Sequence, residues 1–279
     1  MVRRLLKTLG LWFGLLGALP GMTQTLALRE YTIANGLPQS VIYAICQDGT
    51  GRLWAGTQGG LCVFDGQQFR VYDGRQGLAD NHVRAVAAAP DGTIWLGHEY
   101  GGVAWVRQGK VGRCHLPGMA PTLHARRIWL GPGGVVWVAT EGQGLLRLRC
   151  GPRDTTLTRL GRTQGLPSDN VRFVAPGPAG QLWVATDAGL SVLDAATGHL
   201  LDAPRRALPP VLQVGSVNSF FRVSDTLFWV ATTNGLLRLS GGHRGACAAS
   251  APKRACAPPT CGEFCKTVPA GCGPPPPRA

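Results

Sequence analysis

Charge is scarce in this 279-residue chain, at 15% of residues, and acid is scarcer than base: 15 Asp and Glu face 28 Lys and Arg. The phrases that announce common chemistries are missing. No G-x-S-x-G, H-E-x-x-H, P-loop or glycine-rich dinucleotide fingerprint occurs, which excludes a nucleophile elbow, a zincin helix and the usual phosphate cradles. A phosphoacceptor-histidine helix and an ATP-binding region are also absent, so no kinase part, catalytic residue, metal site or cofactor is expected on the chain. Past the first 27 residues no apolar run approaches the roughly 20 residues of a membrane span, so the mature chain is expected to have no stable span.

The net charge of +13 invites a nucleic-acid reading, so its location matters. Arg3, Arg4 and Lys7 lie at the N-terminus, and Arg244, Lys253, Arg254, Lys266 and Arg278 crowd the last 39 residues. What remains between them forms no basic stripe interleaved with aromatics, and no nucleic-acid partner is expected. The N-terminal charges instead open a secretory signal: a basic MVRRLLK, an apolar Leu9–Leu19, then small residues at Thr25-Leu26-Ala27. Residues 1–27 are read as that signal and the mature protein as exported, periplasmic or extracellular.

Glycine is abundant, 40 residues, and it recurs in a phrase. DGTGRLWAGTQGGL, DGTIWLGHEYGG, GGVVWVATEGQG, AGQLWVATDAGL and DTLFWVATTNGL center on Trp54, Trp95, Trp137, Trp183 and Trp229, at intervals of 41, 42, 46 and 46 residues. A fixed period of this size means one supersecondary unit stacked several times. Within the first unit, a β-branched apolar run from Val41, a turn at Asp48–Gly51, strands at 53–57 and 61–64, and a last strand at 69–72 make four short antiparallel strands. Four-stranded sheets at this spacing are blades, and the fold is read as all-β: a β-propeller over residues 28–240 with about five blades. Two residues after each Trp stands Gly56, Gly97, Ala139, Ala185 or Ala231. Residues i and i+2 share a strand face, so each indole flanks a step into which an adjoining blade can pack.

A second phrase links the units: NGLPQSV at 35–41, QGLADNHV at 76–83 and QGLPSDNV at 164–171. The combination of GLPxxxV, an apolar strand, D-G-x-LW-x-G-T and GGL resembles the two-component regulator propeller repeat, across about residues 28–240. The phrase is absent at Pro121–His124 and around Leu208–Ser216. The resemblance implies a periplasmic ligand-binding sensor module of a two-component system, its transmitter on another chain, with a small extracellular ligand or a signalling domain as partner. The repeats are also similar to those of streptogramin-type lyases, which use a His with a divalent metal; on that reading His98 beside Glu99 is the general base. A protein-interaction scaffold is the third reading.

LREYTIANGLP at 28–38 matches FRVYDGRQGLA at 69–79, so Leu28–Ile33 is read as an outer strand completing the last blade, which lacks one. The count fits either a closed five-bladed ring or a fragment of a larger propeller. Residues 241–279 drop the blade grammar for Cys, Pro and basic residues and are read as a disordered tail, from a shifted or truncated reading frame. Cys46, Cys62, Cys114 and Cys150 lie in strand-like runs and are read as core.

In an up-and-down blade, the loops from strand four to strand one and from strand two to strand three emerge at one end. Loops held by a rigid frame are where binding residues gather. The candidate ligand-binding residues on that face are His82, His98, Glu99, Tyr100, Glu141, Gln143, Asn170, Asp187 and Asn234.

Overall fold

The computed structural model describes residues 28–116, 118, 122–150, 155–241 and 247–250. The signal sequence read at 1–27 and the end of the tail, 251–279, lie outside the described residues. Leu28–Tyr31 is the described part of a short N-terminal unit, and the rest of the chain from Thr32 forms a second, large one.

The large unit is five antiparallel sheets in chain order. The first blade contains β1 (Ile42–Gln47), β2 (Leu53–Thr57), β3 (Gly60–Phe64) and β4 (Phe69–Tyr72). The second contains β5 (Val83–Ala88), β6 (Ile94–His98), β7 (Val103–Arg107) and β8 (Lys110–Arg113); the third, β9 (Ala125–Leu130), β10 (Val136–Thr140), β11 (Leu145–Cys150) and β12 (Thr155–Leu160). The fourth has β13 (Val171–Pro176), β14 (Gln181–Thr186) and β15 (Gly189–Asp194). The fifth has β16 (Val217–Arg222), β17 (Leu227–Thr232), β18 (Gly235–Gly241) and β19 (Cys247–Ser250).

The linking phrase has a mechanical basis. Ile33–Asn35, Gly74–Gln76 and Arg162–Gln164 are single 3-10 turns, each closed by a glycine in the left-handed region, Gly36, Gly77 and Gly165. The amide side chain just before that glycine accepts the N–H that starts the turn: Asn35 from Thr32, Gln76 from Asp73, Gln164 from Gly161, at 2.8–2.9 Å. The leucine that follows, Leu37, Leu78 or Leu166, is buried. Asn/Gln-Gly-Leu is thus a cap, a reversal and an anchor in three residues.

The Trp step also packs as its chemistry requires. A Cβ on Gly56 would stand 2.6 Å from the Val83 carbonyl oxygen of the next blade, and one on Gly97 2.8 Å from the Ala125 Cβ. Only the smallest residues allow blades this close. The hydrophobic clusters accordingly straddle boundaries: Trp54 packs with Val83, Val86 and Leu96, Trp137 with Val171 and Leu182, and Trp183 with Phe220 and Phe228.

Two expectations are corrected. The fourth blade has three strands; after β15 the chain makes a single bridge, Leu193 to Leu200, and then two helical turns, α1 (Asp202–Arg206) and α2 (Pro210–Val214). Pro204, Pro209 and Pro210 have no N–H to give to a ladder, while Leu208 and Leu212 still plug the blade boundary. The second correction concerns the chain ends. Leu28–Tyr31 contains no strand, Ile33 begins a 3-10 turn, and the place beside β18 is taken by β19, from the stretch read as a disordered tail.

Inner strands pack in chain order, β1 on β5, β5 on β9, β9 on β13 and β13 on β16, and among the described residues β16 and β1 do not share such a boundary. The exposures agree with an open arc. Ile42 and Ile45 of β1 are 40% and 59% exposed, and Trp229 of the last blade is half-buried where Trp137 is fully buried.

Candidate functional site

Each inner strand is irregular at the same place. The register of β1, β5, β9, β13 and β16 against its neighbor skips one residue, and the residue skipped is Tyr43, Arg84, Arg126, Arg172 or Asn218. A bulge bends the strand and re-aims a side chain. These five residues keep the Trp intervals, so one device is repeated in every blade.

The loop after each second strand is tied to the same end. The backbone N–H of Gln58, Glu99, Glu141, Asp187 and Thr233 donates to the carbonyl of Val41, His82, His124, Asn170 and Ser216. Every blade therefore presents three side chains together, one before the inner strand, one from its bulge and one from the hairpin. In blades two, three and four these are His82, Arg84 and Glu99; His124, Arg126 and Glu141; and Asn170, Arg172 and Asp187.

The groups interlock along the row. Arg84 pairs with Glu99 and lies over the Tyr43 ring of the preceding blade, 4.5 Å from its centroid. Glu99 Oε1 is 3.5 Å from His124 Nδ1 of the following blade, and Tyr100 meets the His124 ring edge-on with centroids 4.8 Å apart. Arg126 Nη2 donates to Glu141 Oε2 at 2.5 Å, Asn170 Nδ2 to Asp187 Oδ2 at 2.9 Å, and Arg172 Nη1 to Asn218 Oδ1 at 3.1 Å. Arg84, Glu99, His124, Arg126 and Glu141 line a small cleft.

Two carboxylates in the row are held ionised against their burial. Desolvation pushes Asp80 up, but the backbone N–H groups of His82 and Tyr100 and the His82 ring hold its pKa below the usual carboxylate range. Desolvation likewise opposes ionisation of Asp187, and hydrogen bonds from Ser168 and Asn170 with the Arg172 charge outweigh it.

Of the residues expected on this face, His82, Glu99, Tyr100, Glu141, Asn170 and Asp187 do gather here. Gln143 is half-buried in its hairpin turn, and Asn234 stands in the turn of the last blade, where its N–H donates to the Thr232 hydroxyl. His98 is corrected: it is fully buried at the end of β6, with neither ring nitrogen hydrogen-bonded. Its equivalents Thr57, Thr140, Thr186 and Thr232 each donate a hydroxyl to the carbonyl of Gly60, Gly144, Gly189 and Gly235, a bond an imidazole in that place does not make. Arg84, Arg126, Arg172 and His124 are additions. Their signal was present, since arginine recurs at the Trp period one residue into three successive inner strands, but a strand reading assigns alternate residues to faces and does not foresee a bulge. Among the described residues no group of three or more His, Cys, Asp or Glu could hold a metal ion, and no helix is long and apolar enough to cross a membrane.

Residues 36–59 match the family model described as two component regulator propeller. The chain is 38% identical over 55 residues to histidine kinase P4 of Formosa agariphila, a stretch that is 20% of this chain and 4% of that one. In fold it is similar to the extracellular domain of a hybrid two-component system of B. thetaiotaomicron, with a TM-score of 0.61 at 21% identity over 76% of this chain and 28% of that one. It is also similar to virginiamycin B lyase of Staphylococcus aureus, with a TM-score of 0.58 at 14% identity over 77% of this chain and 71% of that one. The five blades at the Trp period show a β-propeller, and residues 36–59 of it match the two component regulator propeller model.

Proposed function

We propose that the row of bulged arginines and their acidic partners is the ligand-binding face of an exported sensor module. One observation carries this reading: three consecutive blades each turn an arginine out of the strand pairing and set a carboxylate beside it. Structural pairing alone does not need a bulge. The alternation of guanidinium and carboxylate offers donors and acceptors in turn, with Tyr43, Tyr100 and His124 as flat surfaces between them. That chemistry suits a small polar ligand rich in hydroxyl or amide groups, rather than an anion, because every guanidinium has an acidic or amide neighbor. The matched repeat and the histidine-kinase stretch support the signalling role, and the secretory pattern of residues 1–27 supports export.

A lyase reading would rest the chemistry on His98 and Glu99. The burial of His98 argues against it, since an imidazole enclosed in the strand cannot reach a substrate on the loop face. The sensor reading is tested by screening polar periplasmic solutes for a thermal shift and titrating hits by calorimetry against the wild-type chain and Arg84→Ala. Saturable binding that is weakened at least tenfold in the variant is expected. Binding equal in the two proteins would remove this face as the site.

A further inference from the structure

Strand register gives each residue of a joint between blades an equivalent in every other blade. In the first joint Gly56 leaves room for the second blade: a Cβ on it would meet Val83 Cγ1 and Val86 Cγ2, each at 2.9 Å. Pairing puts Ile42 and Ile45 of β1 where Val83 and Val86 stand in β5. It puts Ala231 and Leu236 of the fifth blade where Gly56 and Leu61 stand in the first. In the inner joints these positions are sealed, with Val83, Val171 and Val217 buried on one side and Leu61, Val103, Leu145 and Leu190 on the other. At the two end blades they are open. Ile42 and Ile45 are exposed, Leu236 is 44% exposed, and Phe221, the cross-strand neighbor of Trp229, is exposed with it.

We propose that these two faces dock a second copy of this chain head to tail, with Ile42 and Ile45 of one copy seated against Trp229, Ala231 and Leu236 of the other. The occupant is named by the faces themselves. They are the opposite halves of one joint, which the chain already makes between each pair of successive inner strands. Every copy carries both halves, so each supplies what the other lacks. The polar rim matches too. Arg147 lies over Trp137 and donates to the Ala196 carbonyl of the following blade. Register makes Arg238 the equivalent of Arg147, and Gln67 the equivalent of Ala196, in a turn whose first residue is the exposed Asp65. The basic end of one copy therefore meets the acidic turn of the next. The joint also extends the row of bulged residues. Arg84 lies over Tyr43 and Arg172 donates to Asn218 in neighboring blades, and across the new joint Tyr43 of the second copy follows Asn218. The docking does not depend on what that row binds. A contact between unlike faces is heterologous, and it closes into a ring or continues as a chain of copies.

The test uses the whole chain. Sedimentation over about a hundredfold range of concentration should show wild type growing from monomer to larger species. Ile45→Arg and Leu236→Arg each place a charge in one half of the joint, and each should weaken self-association at least tenfold. Both residues are exposed in the single chain, so the dilute variants should melt within a few degrees of wild type. Mixed in equal amounts, the two variants retain one intact half each and should form a dimer that grows no further. Hydroxyl-radical footprinting of wild type needs no variant: Ile42, Ile45, Trp229 and Leu236 should become protected together as the concentration rises. Wild type that stays monomeric throughout, a variant that associates like wild type, a mixture that stays monomeric, or protection confined to one of the two faces would overturn the proposal.

Discussion

Trp54 Nε1 donates to Asp48 Oδ2 at 2.8 Å, so the turn before the second strand of the first blade is fastened to the indole that fills the boundary with the second. The same carboxylate accepts the N–H groups of Thr50 and Arg52, the Thr50 hydroxyl and Arg52 Nε. Desolvation of this buried acid is outweighed by those bonds, and its pKa lies far below the usual range. The D-G-T-x-x-L-W phrase is thus one hydrogen-bonded knot, and it is complete only in this blade. At the corresponding place Gly131 and Gly177 leave no room, since a Cβ there would meet the Trp137 and Trp183 rings at 3.0 and 2.4 Å.

Asp48→Ala leaves the Trp54 N–H and two turn amides without an acceptor and should cost about 2–4 kcal/mol at pH 7, at the upper end of values for unsatisfied buried groups. Because the folded pKa is depressed, the contribution is present above the unfolded value of about 3.9 and is lost as pH falls through the folded one. Urea melts from pH 7 to pH 2 should show the wild type converging on the variant at the acid end. Parallel curves would mean that the charge is not what the knot uses.

The Trp row separates inner boundaries from the open end. Trp137→Ala should destabilise by about 3–5 kcal/mol, as for other buried aromatics. Trp229→Ala should cost no more than about half of that, because its outer side has no further blade among the described residues. Denaturant midpoints of the two variants decide this, and equal losses would indicate that the last blade is covered.

His98→Thr should raise stability. Thr restores the hydroxyl-to-carbonyl bond of the other blades and removes a buried imidazole with no partner. Desolvation lowers the His98 pKa, and the Asp80 charge opposes it. The neutral ring is the one the fold accepts, so wild-type stability should decline as pH falls below about 6.5, the unfolded value. The variant's thermal midpoint should lack that slope between pH 7 and 5. An unchanged slope would place the acid sensitivity elsewhere.

Much of the frame was legible because it is written in period and turn chemistry. The Trp intervals gave the blades, Gly56 and Gly97 marked the close approach, and Asn/Gln-Gly-Leu marked the links. What escaped reading was non-periodic. Pro204, Pro209 and Pro210 replace a strand by two helical turns, and the pairing of β18 with β19 depends on residues whose composition resembles none of the other outer strands. The site was half legible. Loop positions such as Glu99 and Glu141 follow from topology, but Arg84, Arg126 and Arg172 sit inside strands, and only the repeated bulge turns them to the loop face.

The β18 edge supplies a fourth prediction. Ending the chain at residue 241 removes β19 and leaves the N–H and C=O row of β18 unpaired, an edge that templates association. Ending it at residue 250 keeps the pair. Light scattering and melting curves should show the shorter form associating or melting lower, and the longer form matching the full chain. Identical behavior of the two would mean that β19 adds nothing to the blade.

Arg126 and Glu141 separate recognition from stability. The two are 42% and 50% exposed, and an ion pair at that exposure contributes no more than about 1 kcal/mol. Arg126→Ala should therefore leave the thermal midpoint within a few degrees, while any ligand that uses the guanidinium as a donor loses a charge-assisted bond, about 1.5–3 kcal/mol or at least tenfold in Kd. The swap Arg126→Glu with Glu141→Arg restores an ion pair at the same place but moves the donor off the bulge. It should keep the wild-type midpoint and fail to restore binding. Calorimetry on the three proteins with a solute found in the screen makes the comparison: a swap that binds like wild type would show that the pair serves only the frame, and affinity unchanged in Arg126→Ala would take the third blade out of the site.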